Sequence, residues 1–170
     1  MKKIINSHFF EANTTHIKDI LEAMERLRKE FPTHFFVPST EEELQHIIVN
    51  KHGFVLLIEI KGQLAGGVIV MYPNENNHYL SNHDYAECAI VDSIFLEPQF
   101  RGQSIAQYLM KAALERLDKI PYIYASVAID NIPSQKLFQR NGFKIYEQKK
   151  LYNNYDRYVF LLEKDNQHAL

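Results

Sequence analysis

The sequence holds one cysteine, Cys88, in 170 residues, so no disulfide can close within the chain and zinc sites built on paired cysteines are excluded. A reducing compartment is the natural setting, and the cytoplasm is the expected location. Long hydrophobic runs are missing too. Runs such as Phe54–Ile58 and Gly66–Met71 are far short of the roughly 20 residues that span a bilayer, so no membrane segment is expected. The opening stretch, Met1 to His8, has two basic residues but no apolar run behind them, which argues against a secretory signal. Neither charge sign dominates: 19 basic residues face 21 acidic ones for a net charge of -2, and nucleic acid is disfavoured as a partner. No repeat, low-complexity tract or Gly/Ser linker divides the chain. Residues 1–164 are therefore expected to form one domain, with a polar tail at 165–170.

What is present is ordinary globular material, 46% hydrophobic and 24% charged. At 20.0 kDa, folding buries roughly 70% of the unfolded surface, enough for a core without covalent staples. Ile17, Ile20, Leu21, Met24 and Leu27 recur at helical spacing behind Thr14 or Thr15, with Pro32 past the end, and predict a first helix. Thr40 with Glu43 forms a capping box ahead of Leu44, Ile47 and Ile48, predicting a second. Phe54–Ile60 and Gln63–Tyr72 around Lys61-Gly62 read as a hairpin, the polar stretch Pro73–Asp84 as an exposed loop, and Tyr85–Leu96 as a third strand. Ile105 to Leu117 marks a long helix, Pro121–Ile129 a strand, and Pro133 the first turn of a short helix capped by Asp130 or Asn131. Phe143–Lys150 and Tyr155–Glu163 around Asn153-Asn154 close with another hairpin. The expected order is helices first, then a mostly antiparallel sheet with two inserted helices, an α+β or mixed α/β layer fold.

The informative segment is Arg101-Gly102-Gln103-Ser104-Ile105-Ala106, between the end of a strand and the first turn of a long helix. Unpaired amides and the positive end of the helix dipole can hold a diphosphate there if bulky side chains stay clear. By itself the hexapeptide is equally an ordinary strand-to-helix turn. It lacks the Gly-Lys-Ser/Thr ending of a P-loop and the Gly-x-Gly-x-x-Gly dinucleotide fingerprint.

In this segment the sequence resembles the GNAT superfamily of acyl-CoA-dependent N-acyltransferases, whose first signature is Arg/Gln-x-x-Gly-x-Gly/Ala after a strand ending in an apolar-acidic-Pro step. Leu96-Glu97-Pro98-Gln99-Phe100-Arg101-Gly102 fits that lead-in. The second signature, Asn-x-x-Ser/Ala-x-x-Leu-Tyr/Phe-x-x-x-Gly-Phe, is matched by Asn131 through Phe143. The resemblance covers nearly the whole chain. It implies a mixed, mostly antiparallel sheet of six or seven strands with about four helices, acetyl-CoA as cosubstrate and a primary amine as acceptor. Two departures stand out. Ser104 replaces the usual glycine, so its side chain either crowds the phosphates or donates its hydroxyl to one of them. Phe138 stands where many relatives carry a tyrosine that protonates the departing thiolate. A thiol of pKa about 8.5 leaves tolerably without that help.

By the same resemblance, the backbone of the strand carrying Ile94, Phe95 and Leu96 pairs with the pantetheine arm, and the Leu96 amide polarises the thioester carbonyl. Arg101, Gly102, Gln103, Ser104, Ile105 and Ala106 then form the diphosphate cradle; Asn131, Ser134 and Phe138 complete the cofactor site, with Ser134 near the thiol. Asn131 is equally a plain helix cap, and Ser134 a solvated first-turn residue. Attack needs a neutral amine and hence a proton acceptor. Asp92 is the candidate: period-2 alternation puts it on one face with Ile94 and Leu96, an odd place for a carboxylate unless paired or functional. A β-bulge would break that parity and pass the role to Glu87.

Cys88 has no legible Cys-His-Asp setting and reads as core. The eight histidines include no His-x-x-x-His pair, and no metal site is expected. Phe35, Phe36, Tyr152 and Tyr155 occupy loops that in relatives border the acceptor pocket; they are either its aromatic wall or loop anchors. The reading from another class is a non-catalytic acyl-CoA-binding or protein-interaction module on the same fold, and peptide N-termini stay open beside small amines as acceptors. A homodimer through an edge strand or an exchanged C-terminal hairpin is compatible with the sequence.

Overall fold

The structure is a computed structural model that describes residues 6–76 and 82–164. The tail at 165–170, the first five residues, and residues 77–81 with His78 lie outside the described residues.

A strand missed in the sequence comes first: β1 (Ser7–Glu11) pairs antiparallel with β2 (Gly53–Ile60). The expected order, helices before strands, is thus corrected. Asn13, not Thr14 or Thr15, starts the helical region. Its side chain accepts from Thr15 N at 2.9 Å while His16 Nδ1 accepts from Asn13 N at 3.0 Å, closing a short 3-10 turn that feeds α1 (Ile17–Glu30). Thr40 Oγ1 caps α2 (Glu41–Val49) by accepting from Glu43 N at 3.1 Å. After β2 come β3 (Gln63–Met71), β4 (Cys88–Leu96), α3 (Ile105–Arg116), β5 (Tyr122–Ala128), α4 (Ile132–Arg140), β6 (Lys144–Leu151) and β7 (Tyr155–Glu163). Tyr85–Glu87, expected as strand, is instead a 3-10 turn, because the Asp84 side chain accepts from Ala86 N at 3.0 Å and holds the chain curled.

The seven strands form one sheet in the order β1-β2-β3-β4-β5-β7-β6. Every neighbouring pair is antiparallel except β4 with β5. One face buries Phe54, Leu56, Val68, Val91, Ile123 and Ala125 against α3 and α4. The other buries Val55, Leu57, Ile69 and Phe95 against α1 and α2. Alternation along each strand supplies both cores. Among the described residues no helix is long and apolar enough to cross a membrane.

One irregularity positions the site. Ile69 lies opposite Ser93 but Val70 lies opposite Val91, so Asp92 is an extra residue, a β-bulge. Ala89 and Val91 before it, and Ile94 and Leu96 after it, pack toward α3 and α4. Asp92 and Ser93 therefore fall together on the α1/α2 face, and the expected shared face of Asp92 with Ile94 and Leu96 is corrected. Gly66 and Gly67 of β3 let β4 approach closely: a Cβ on Gly66 would stand 2.3 Å from the Phe95 carbonyl oxygen, and one on Gly67 2.8 Å from the Phe95 ring.

Candidate active site in a splayed strand junction

The parallel pairing of β4 with β5 lasts three residues, Cys88–Ile90 against Tyr122–Tyr124. Beyond it β4 stays with β3 as far as Leu96 and β5 with β7 as far as Ala128, and a wedge opens between them. Glu97 N donates to Ala65 O of β3 at 2.8 Å. Amides of an extended strand alternate in direction, so the N–H groups of Leu96 and Ile94 point into the wedge. Their side chains are half-buried in the α3/α4 core and that of Phe95 is fully buried on the opposite face. These three residues thus offer the wedge backbone only. An extended, amide-bearing chain can pair there as an added strand would. At the closed end, His83 Nδ1 bonds the Tyr124 hydroxyl and its ring stacks on Tyr122 at 3.7 Å.

The starts of α3 and α4 flank the mouth. Gly102 (φ 75°) and Ser104 (φ 61°) are both left-handed, and a Cβ on Gly102 would meet nothing within 4 Å. Ser104 makes no side-chain cap bond. The first amides of α3 therefore lack a side-chain cap, and the dipole there favours an anion. Gln103 is exposed, Ile105 is buried and Ala106 half-buried, so the last two anchor the helix. Arg101 does not face solvent alone. Its guanidinium pairs with Glu30 of α1 at 2.5 and 3.0 Å and lies 4.8 Å over the Phe31 ring.

On the α4 side, the Asn131 side chain accepts from Ser134 N at 3.4 Å, as a helix cap does. Ser134 is half-buried in the first turn. Phe138 is in the core, edge-on to Phe143 at 5.1 Å and stacked on Phe160 at 5.9 Å.

The α1/α2 face of the junction is polar. Burial, then the nearby Glu43 carboxylate, pushes the Asp92 carboxyl up to about 6; the Ser93 hydroxyl, which donates to Asp92 at 3.4 Å, and Arg157 only partly oppose them. That is a carboxyl poised to take a proton near neutrality. Glu87 is exposed in the turn before β4, outside the wedge, so the bulge that broke the expected parity did not pass the position to Glu87. Buried Arg157 was not singled out in the sequence. It donates to the Ser126 hydroxyl at 3.2 Å, the Ser126 carbonyl at 2.9 Å and the His34 carbonyl at 2.8 Å. His34 Nε2 bonds Asp130 at 2.7 Å, which holds that carboxyl below its usual range, and Thr33 bonds the Tyr155 hydroxyl at 3.3 Å. The segment after α1 is thus strapped across the ends of β5 and β7. Phe36 packs against the α1/α2 core, Phe35 meets the His34 ring edge-on, and Tyr152 lies under Arg157. The only hint of Arg157 in sequence is a base two and four residues before Val159 and Leu161, on the face of the strand that those two bury.

Cys88 is 2% exposed and its Sγ donates to the Asp84 carbonyl at 3.2 Å. No cluster of three metal-ligating side chains occurs among the described residues.

Residues 21–143 match the acetyltransferase (GNAT) family. A search of curated protein sequences finds no match. Among solved structures, an N-acetyltransferase from Staphylococcus aureus Mu50 superposes with a TM-score of 0.74 at 18% identity, covering 93% of this chain and 98% of that one. A ribosomal-protein-alanine N-acetyltransferase from Brucella melitensis gives 0.73 at 16%, covering 92% and 99%. A ribosomal α-N-protein acetyltransferase in complex with coenzyme A gives 0.69 at 16%, covering 95% and 96%. These likenesses are of fold, and the family match spans most of the chain: it belongs to the GNAT acetyltransferase family.

Proposed function

We propose that this protein is an N-acetyltransferase that moves the acetyl group of acetyl-CoA to a primary amine by direct attack in a ternary complex. The observation that carries the reading is the wedge itself: two inward amides on one wall and an uncapped helix start at its mouth. The α3 start takes the diphosphate, the Ile94–Leu96 edge takes the pantetheine amides, and the Asn131 side chain meets them from the other wall. The amine nitrogen forms a bond to the thioester carbon while the C–S bond breaks, and the Leu96 N–H stabilises charge on the carbonyl oxygen. Asp92 takes the ammonium proton, directly or through water. The thiolate leaves beside Ser134 without a phenol at position 138 and is protonated from solvent. Arg101 belongs to this reading through the Glu30 pair, which a diphosphate would compete for.

The test is amine-dependent thiol release from acetyl-CoA. Turnover of the native protein rises through about pH 6 as Asp92 loses its proton, and Asp92→Asn lowers it about 100-fold and removes that rise. Unchanged pH dependence in the variant takes Asp92 out of the role. Thermal stabilisation by acetyl-CoA and CoA but not ATP, with no thiol release for any amine, supports the non-catalytic binding module instead.

A further inference from the structure

The end of β4 is held from one side only. Past Ile90 it has no strand partner across the wedge, and its last ladder bond to β3 is the one from Glu97 N to the Ala65 carbonyl. Strand ends held this way fray unless something else pins them. Here the pin is a side chain. Glu97 directly follows Leu96, its side chain is only 7% exposed, and it does not cap its own 3-10 turn. Instead Nε and Nη2 of Arg26 on α1 both donate to its Oε1, at 3.0 and 2.5 Å. A buried carboxylate needs such a partner. α1 is a rigid place to supply one from, because Ile20, Ala23, Met24 and Leu27 seat the helix on the sheet face that also buries Phe95. One turn along, Glu30 takes Arg101 at the far end of the same connection, with the charges reversed. In that second pair both partners are part-exposed; in the first the carboxylate is buried.

We infer that Arg26 is a positioning residue for acetyl transfer: through Glu97 it holds the end of β4 so that the Leu96 N–H stays aimed into the wedge. The inference rests on the acetyltransferase reading, in which that N–H stabilises charge on the thioester oxygen, and adds the residue that keeps it in line. Such a donor works only where the charge develops, and a misplacement of about 1 Å can cost on the order of 100-fold in rate. A Glu97 carboxylate that swings out to water carries the adjoining Leu96 peptide with it. Arg26 prevents this from a helix that lies outside the wedge.

The experiment measures thiol release and acetyl-CoA affinity for the full chain, well below the Tm of each variant. Arg26→Gln leaves the Glu97 carboxylate without its cation. It is expected to lower kcat about 30-fold and to leave the acetyl-CoA Kd unchanged, because the α3 start is untouched. Arg26→Lys keeps the charge but not the two-nitrogen grip on one oxygen, and is expected to lose only a few-fold in kcat. Arg28→Gln removes the same charge from an exposed pair with Glu25 on the same helix and is expected to change neither constant. A second readout needs no turnover. The isotope-labelled thioester carbonyl of bound acetyl-CoA is expected to absorb at lower frequency on the native protein than in water, with a smaller shift on Arg26→Gln and partial recovery on Arg26→Lys. If Arg26→Gln does not fold, Arg26→Lys decides by the same two readouts. Native kcat and carbonyl frequency in the Arg26 variants that fold, a loss confined to acetyl-CoA affinity, or an equal loss of kcat in Arg28→Gln overturns the role and leaves the acetyltransferase reading intact. Acetyl-CoA binding to the native protein with no carbonyl shift and no thiol release for any amine removes both.

Discussion

The two units that meet at the wedge treat their local energetics in opposite ways. In the β5–α4 unit everything is satisfied. Asn131 caps Ser134 N, the buried Gln135 side chain donates to the carbonyls of Ala128 and Ile129 at 3.1 and 2.8 Å, and Asn141 exchanges two amide hydrogen bonds with Gln107 at 2.8 and 2.9 Å. In the β4–α3 unit, Asp92 is a carboxyl in surroundings that disfavour its charge, Ser104 is a non-glycine residue at φ 61°, and the α3 start has no side-chain cap. Stability is forgone on one wall and accumulated on the other, the distribution expected where one wall does the chemistry and the other holds it in place.

The sharpest separation is in stability. Phe138→Ala empties a packed aromatic position of the satisfied unit and is expected to cost about 3–5 kcal/mol in denaturant unfolding. Asp92→Asn has the opposite sign. The carboxyl goes from its usual 3.8 in the unfolded chain to about 6 in the folded one, so the folded state holds the proton more tightly. The resulting penalty is absent below about pH 4, grows between pH 4 and 6, and is fully present above it. The variant should therefore gain up to about 3 kcal/mol, roughly 6–12 °C in Tm, at pH 7.5 and nothing at pH 3.5. A destabilised Asp92→Asn at neutral pH breaks the comparison.

Binding separates the units next. A carboxylate at Gln103, just outside α3, is expected to weaken acetyl-CoA about tenfold at low salt by opposing the diphosphate. The same charge at Ile132, exposed in the first turn of α4, should change the Kd less than twofold. Calorimetric titration of Gln103→Glu and Ile132→Glu reads both. Equal losses would mean that the two helix starts share the anion, and the distinction between them would go.

The start of the satisfied unit's helix was legible in the sequence, because its signals are local: Asn131 and Pro133 open α4, just as, outside that unit, Asn153-Asn154 turns the β6–β7 hairpin. The turn before α3, with Gly102 left-handed, was legible for the same reason. What escaped depends on partners distant in the chain. The face of Asp92 follows from which residues of β3 it opposes, and no alternation within β4 carries that information. The seat of Arg157 lies 123 residues away at His34, and the Glu30 partner of Arg101 is 71 residues away. β1 escaped because five residues with only partial burial leave little periodicity to read. Phe138 was singled out for the hydroxyl it lacks, and its place among Phe143 and Phe160 explains what its ring does instead.

The smallest effects test the helix starts one residue at a time. Ser104→Gly removes a Cβ from a left-handed position and is expected to stabilise the protein by about 1 kcal/mol, roughly 2–4 °C. Asn131→Ala removes a cap from α4 and is expected to destabilise it by about the same amount. Stability alone would make Ser104 a flaw, so acetyl-CoA affinity must be read on the same samples. If its hydroxyl donates to a phosphate oxygen, Ser104→Gly gains stability and loses affinity by a few-fold, the extent of one hydrogen bond to a charged group that water partly replaces. If affinity instead rises with stability, the serine only crowds the cradle, and the strain in the β4–α3 unit at this position has no functional return.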